Sequence, residues 1–203
     1  MKSSKHIVRL LLPIVFFYVM LFFAFEEDKI FWYLYTFTIL VGVSITILYE
    51  TIKDELPTWK YLIFGIGYGT ITYGIIRLGY IILNSVNDDI SKSVAKFLAS
   101  YGPLNIWHYL LLIIIIVVGE ELFWRGFVQQ QLKRILSPML AILVTSVLFA
   151  LSIAISGFIP GVVAALVVGL IFGMLYEWKK SMPLIIVTHE VFILLLFLIL
   201  PFS

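Results

Sequence analysis

LLLIIIIVVGEELFWRGF, Leu110–Phe127, reads as a membrane helix that carries charge inside it. Nine apolar residues, Leu110–Val118, run straight into Gly119, Glu120 and Glu121, and Arg125 follows four residues after Glu121. An ionisable side chain at membrane depth costs several kcal/mol by most accounts, so such groups pair with one another and face a bundle interior or a wet cavity. Three of them within six positions point to a polar site and raise the question of chemistry.

The rest of the chain agrees with a membrane setting. Of its 203 residues, 62% are apolar and 13% charged, with a mean hydropathy of +1.09. A soluble domain is about half apolar and a quarter charged. The length suits about seven crossings of roughly 20 residues each. The expected fold class is therefore all-α, a polytopic transmembrane helix bundle of about seven helices, with the lipid bilayer as its first partner. The net charge is only +2, and no basic patch carries interleaved aromatics, so nucleic acid is not an expected partner. Cysteine is absent, which excludes disulfides and thiolate chemistry.

Apolar segments separated by polar breaks run approximately over 7–25, 31–49, 61–83, 106–127, 138–155, 160–178 and 183–200. The first follows Lys2, Lys5 and Arg9, like the start of a signal peptide. Its exit, Ala24-Phe25-Glu26-Glu27, lacks a small-x-small cleavage pattern, so it reads as a retained helix. Prolines stand at the starts of the last three segments; Ser137-Pro138 is an N-cap with proline at the first helical position. The polar loop 84–102 has room for a short surface helix around 94–98. The chain divides into N-terminal transmembrane helices plus polar loop, 1–105, and a four-helix core, 106–203.

Orientation follows from the basic residues. With the N-terminus inside, Lys2, Lys5, Arg9, Lys53, Lys60, Arg125, Lys133, Arg134, Lys179 and Lys180 lie on the inner side, and only Lys29, Lys92 and Lys96 on the outer. This predicts an integral protein of the plasma membrane, N-terminus cytoplasmic and C-terminus outside, with the Glu120–Arg125 cluster toward the cytoplasmic end of its helix. Arg77, inside the third segment, has two readings: it snorkels to headgroups, or it meets a carboxylate such as Glu190. Gly157, Gly161, Ala165, Gly169 and Gly173 are spaced by four and make a small-residue ridge, as do Gly65 and Gly69; both allow close helix packing. No repeat relates the two halves, which counts against a secondary transporter.

Within the cluster, Glu121 and Arg125 share a helix face in the favourable order for an ion pair. Glu120 is rotated about 100° away. The expected division is a structural pair, Glu121–Arg125, and a free Glu120. A carboxylate in a low-dielectric cavity is suited to act as general base on water. Equally, all three residues could be interfacial, meeting headgroups and water. His189 is the next candidate, to polarise a carbonyl, bind a metal or stabilise an oxyanion; the plain alternative is a hydrogen-bonded interior histidine. His189-Glu190 is not a zinc-protease motif, because the position that needs a second histidine is Ile193. His6 lies in the basic N-terminal tail. His108 is twelve residues before Glu120, about 18 Å along a helix, and does not join the cluster. A divalent metal such as zinc stays open as a cofactor only on Glu120, Glu121 and His189, a poor ligand set.

Glu120-Glu121-x-x-x-Arg125-Gly126 resembles the first motif of the CAAX protease and bacteriocin-processing (CPBP) intramembrane endopeptidases, the type II CAAX prenyl endopeptidases. Their second motif is Phe-x-x-x-His; here Phe149 matches and Ile153 stands at the histidine. Their third is His-x-x-x-Asn; here His189 matches, after Gly169-Leu170-x-x-Gly173-x-x-Tyr176 and Pro183, and Ile193 stands at the asparagine. The resemblance covers about 113–197. It implies an active site within the bilayer and a peptide, prenylated peptide or membrane-protein substrate or partner. Carried over, Glu120 is the base, His189 the oxyanion donor, and Glu121 and Arg125 hold the helix end. Isoleucine neither accepts a proton nor donates a hydrogen bond. Losing one such group costs about 10²–10³ in rate. Ser152 and Glu190 neighbour the two isoleucines, each about 100° off the required direction. Three functions follow: an intramembrane endopeptidase; a catalytically inactive scaffold, regulator or bacteriocin-immunity protein of the same family; or a small transporter with a polar pore.

Overall fold

The computed structural model describes residues 2–202, and side chains from residue 6 onward. Lys2 and Lys5, counted in the charge bias, thus fall outside the described side chains. Among the described residues there are eight helices: α1 (Lys2–Glu26), α2 (Phe31–Tyr49), α3 (Thr58–Val86), α4 (Asp89–Tyr101), α5 (Ile106–Leu132), α6 (Pro138–Ala154), α7 (Ile159–Lys179) and α8 (Met182–Ile199). Six of them, all but α4 and α6, are long and apolar enough to cross a membrane. The 17 residues of α6 span about 25 Å, just short of a hydrocarbon core about 30 Å thick. All seven apolar segments of the sequence are helices. α6 and α8 start as expected, with Ser137 and Ser181 accepting from the backbone N–H of Leu140 and Leu184.

Several helices exceed their expected limits, among them α1, α3, α4 and α5. α4 is thirteen residues long, because its apolar side lies against the bundle while Asp89 and Lys92 pair on the outside at 2.8 Å. α5 runs five residues beyond Phe127. Gln129 and Gln131, just past the apolar run, are fully buried: Gln129 Nε2 donates to Gly173 O at 3.2 Å, and Gln131 donates to Glu50. α5 also widens to i→i+5 hydrogen bonding over Leu111–Val117 and Leu122–Val128.

Small residues fix the packing. A Cβ on Gly169 would come within 3.0 Å of Ser146 Cβ, and one on Gly173 within 2.9 Å of Ile142, so α7 lies tightly on α6. Gly65 and Gly69 do the same for α3 against Val187, Thr188 and Val191 of α8. Closest of all is Gly119 on α5, where a Cβ would stand 2.1 Å from Ile39 of α2. Arg77 does not meet Glu190. Its guanidinium donates to Pro201 O at 2.9 Å and lies over the Phe202 ring, while Tyr73 donates to Leu200 O at 2.5 Å. The C-terminal segment is thereby staked to α3.

Candidate active site

Glu120, Glu121, Arg125 and His189 come together between α5 and α8. All are buried, with 8%, 0%, 1% and 4% of their surface exposed. Glu121 Oε1 accepts from Arg125 Nη1 at 3.1 Å and lies 2.7 Å from His189 Nδ1. A carboxylate already paired with a guanidinium acts as acceptor, so Nδ1 is the donor in this contact, and Nε2 turns toward Glu120 Oε2, 3.9 Å away. The Arg125 guanidinium is sandwiched by Phe149 and Phe172, at 4.9 and 5.5 Å from their ring centres. The π-widened turn of α5 carries Arg125 and the preceding α turn carries both glutamates.

Two expectations change here. Glu121 is more than the partner of Arg125, because it also orients His189. Glu120 is not free, because Tyr35 of α2 donates its phenol O–H to Glu120 Oε1. Nothing in the sequence marked Tyr35; its place depends on how α2 seats against α5. The depth changes too. Glu120 is fourteen residues from Ile106 and twelve from Leu132, about 21 and 18 Å. It stands near the middle of α5, not at its end.

The Glu120 and His189 side chains line one cavity of about 440 Å³. Tyr35, Phe149, Ile153 and Ile193 share the same wall. Away from the charged cluster the cavity is apolar and runs to α4 (Ile90, Val94, Phe97) and to Tyr80 and Phe202. Both isoleucines at the positions expected to be polar therefore face it. Neither Ser152 nor Glu190 does: Ser152 is buried and donates to Phe149 O of its own helix at 2.6 Å. His108 is stacked on Trp32 with ring centres 4.8 Å apart, away from the cluster.

For a metal, His189 Nε2, Glu120 Oε2 and Glu121 Oε2 are the ligand atoms of the cluster left uncommitted. His189 Nδ1 and Glu121 Oε1 bond each other, Glu120 Oε1 takes the Tyr35 hydroxyl, and among the described residues no three His, Asp or Glu side chains are grouped to hold an ion. The set does not fit zinc.

In a multi-span helical membrane protein, a buried Glu-Glu-Arg-His cluster at one end of an apolar cavity is a membrane-embedded polar cluster. Residues 102–195 match the family model described as Type II CAAX prenyl endopeptidase Rce1-like, and this segment is similar to that family. The match takes in α5 to α7 and most of α8, and leaves α1 to α4, including Tyr35, outside it. No curated protein and no solved structure matched the chain.

Proposed function

We propose that the chain is an intramembrane endopeptidase whose base is Glu120. The observation that carries this is the convergence of Glu120 and His189 on one cavity whose remaining wall is apolar. Such a cavity excludes bulk water and accepts the apolar flank of a peptide, which strengthens each polar contact made inside it. Glu120 takes a proton from a water molecule, and the resulting hydroxide adds to the scissile carbonyl carbon. The carbonyl oxygen gains negative charge. His189, oriented by Glu121, turns Nε2 toward that oxygen as the oxyanion donor. Glu120 then returns the proton to the leaving nitrogen as the C–N bond breaks. The polar groups at the inner end act on the backbone, while the apolar wall selects hydrophobic peptides or peptides carrying a lipid. In this reading α1–α4 complete the cavity around the 106–203 core.

A second reading has its own support: Ile153 and Ile193 turn hydrocarbon toward the cavity. With them the same pocket serves a scaffold, regulator or immunity protein that binds a hydrophobic segment without cutting it. One experiment separates the two. Purified protein in detergent is incubated with a prenylated CAAX peptide and with its unmodified counterpart, and products are read by mass. The endopeptidase reading expects cleavage that Glu120→Gln abolishes with the protein still folded. Cleavage by neither form, with peptide binding retained by Glu120→Gln, favours the binder.

A further inference from the structure

The geometry points to Tyr35 as a positioning residue of the site, one that holds Glu120 for its work on water; the inference rests on the endopeptidase reading. Glu120 has two carboxylate oxygens with different neighbours. Oε1 accepts the Tyr35 hydroxyl and Oε2 faces His189 Nε2 at 3.9 Å. A glutamate has three side-chain torsions, and among the described residues the Tyr35 hydroxyl makes the side-chain hydrogen bond that ties Oε1 and so directs Oε2 toward the histidine. Ile153 and Ile193, on the same cavity wall, offer no hydrogen bond.

Tyr35 is itself fixed by packing. Ile39, one turn later on α2, sits in the gap left by Gly119, the residue before Glu120. Further down the same pair of helices Gly42 lies against Phe123, and Thr46 Oγ1 donates to Leu122 O at 3.3 Å. The Tyr35 ring rests on Phe31 with centroids 5.5 Å apart. Contacts along more than two turns of α2 therefore set the height and rotation that deliver the hydroxyl to Glu120. This construction exceeds what is needed to satisfy one phenol in a membrane, since a tyrosine near a helix end reaches headgroup water unaided.

The test needs a readout that packing alone does not move. Tyr35→Phe keeps the ring on Phe31 and removes only the O–H. In infrared spectra of the detergent-solubilised protein, the carboxyl band that disappears in Glu120→Gln is assigned to Glu120, and that band is expected to shift in Tyr35→Phe. With the prenylated CAAX peptide as probe, kcat is expected to fall about 10²-fold, the cost of a misplaced reacting group, with KM within about twofold. A fluorinated tyrosine at position 35 keeps the packing and alters only the acidity of the hydroxyl, so it should change kcat without changing Tm. An unmoved Glu120 band, or an unchanged kcat in both variants, overturns the role of Tyr35 and leaves Glu120 as base. Cleavage that survives Glu120→Gln overturns the endopeptidase reading, and the positioning role with it.

Discussion

At the scale of single residues, the two glutamates are neighbours in sequence with opposite burdens. Glu121 Oε1 carries both Arg125 and His189, and all three groups are out of water. Taking away its charge strands a buried guanidinium between two aromatic rings. Breaking a buried pair from one side costs about 3–5 kcal/mol. Glu121→Gln is therefore expected to lower Tm sharply, whereas Glu120→Gln keeps an acceptor for Tyr35 and shifts stability by about 1 kcal/mol or less. Thermal melts of both variants in one detergent check this; equal losses would mean that Glu121 does not hold the helix pair together. The four-residue spacing made the Glu121–Arg125 pair legible in the sequence, and His189 stood out as a histidine within a span. The direct bond from His189 to Glu121 was not legible, because it depends on the rotation of α8 against α5. Nor was Tyr35, one of many aromatic residues on apolar helices.

Among the helices, the contact that most constrains the site is α2 on α5 at Gly119. A methyl at that position would stand 2.1 Å from Ile39 Cγ2, on a pair of helices whose approach also sets Tyr35 against Glu120. Gly119→Ala is expected to cost about 1–3 kcal/mol by overpacking. Ile39→Ala opens the space the new methyl needs, so the double variant should be less destabilised than the two single losses added together, with a coupling of about 0.5–3 kcal/mol. Denaturation midpoints of the four proteins measure it, and strict additivity would show that the two residues do not meet. Helix positions were legible because each span is a long apolar run between polar breaks. Helix ends were less so. The apolar segment ended at Phe127 in the sequence, and the partners Gly173 and Glu50, distant in sequence, hold the glutamines through which α5 continues. Of the small-residue ridge, Gly169 and Gly173 announced the tight packing of α7 on α6, whereas Gly157 lies in a left-handed turn before α7 and packs on nothing; Gly119 was read only as part of a motif.

For the whole molecule, the question that joins fold to function is which side of the membrane the cavity approaches. Its far end is walled by α4 and by the C-terminal segment at Phe202, and α4 sits between the end of α3 and the start of α5. Apart from Arg125, buried near the middle of α5, the basic residues that carry the charge bias divide nine to three in favour of the side that carries the N-terminus. With α6 counted as a crossing, this division predicts that α4 lies outside and that a peptide approaches the buried glutamate from the outer half of the bilayer. The absence of cysteine makes the orientation directly measurable with single introduced thiols. Lys92→Cys on α4 and Glu55→Cys in the segment between α2 and α3 both replace exposed side chains. In intact cells a membrane-impermeant maleimide is expected to label Lys92→Cys at once and Glu55→Cys only after permeabilisation. The reverse pattern would invert the bundle and bring peptides to Glu120 from the cytoplasmic side. Labelling of both in intact cells would mean that α3 does not cross. Because the same cavity wall joins α4 to Glu120, the labelling result also fixes the leaflet from which a hydrophobic peptide reaches the base.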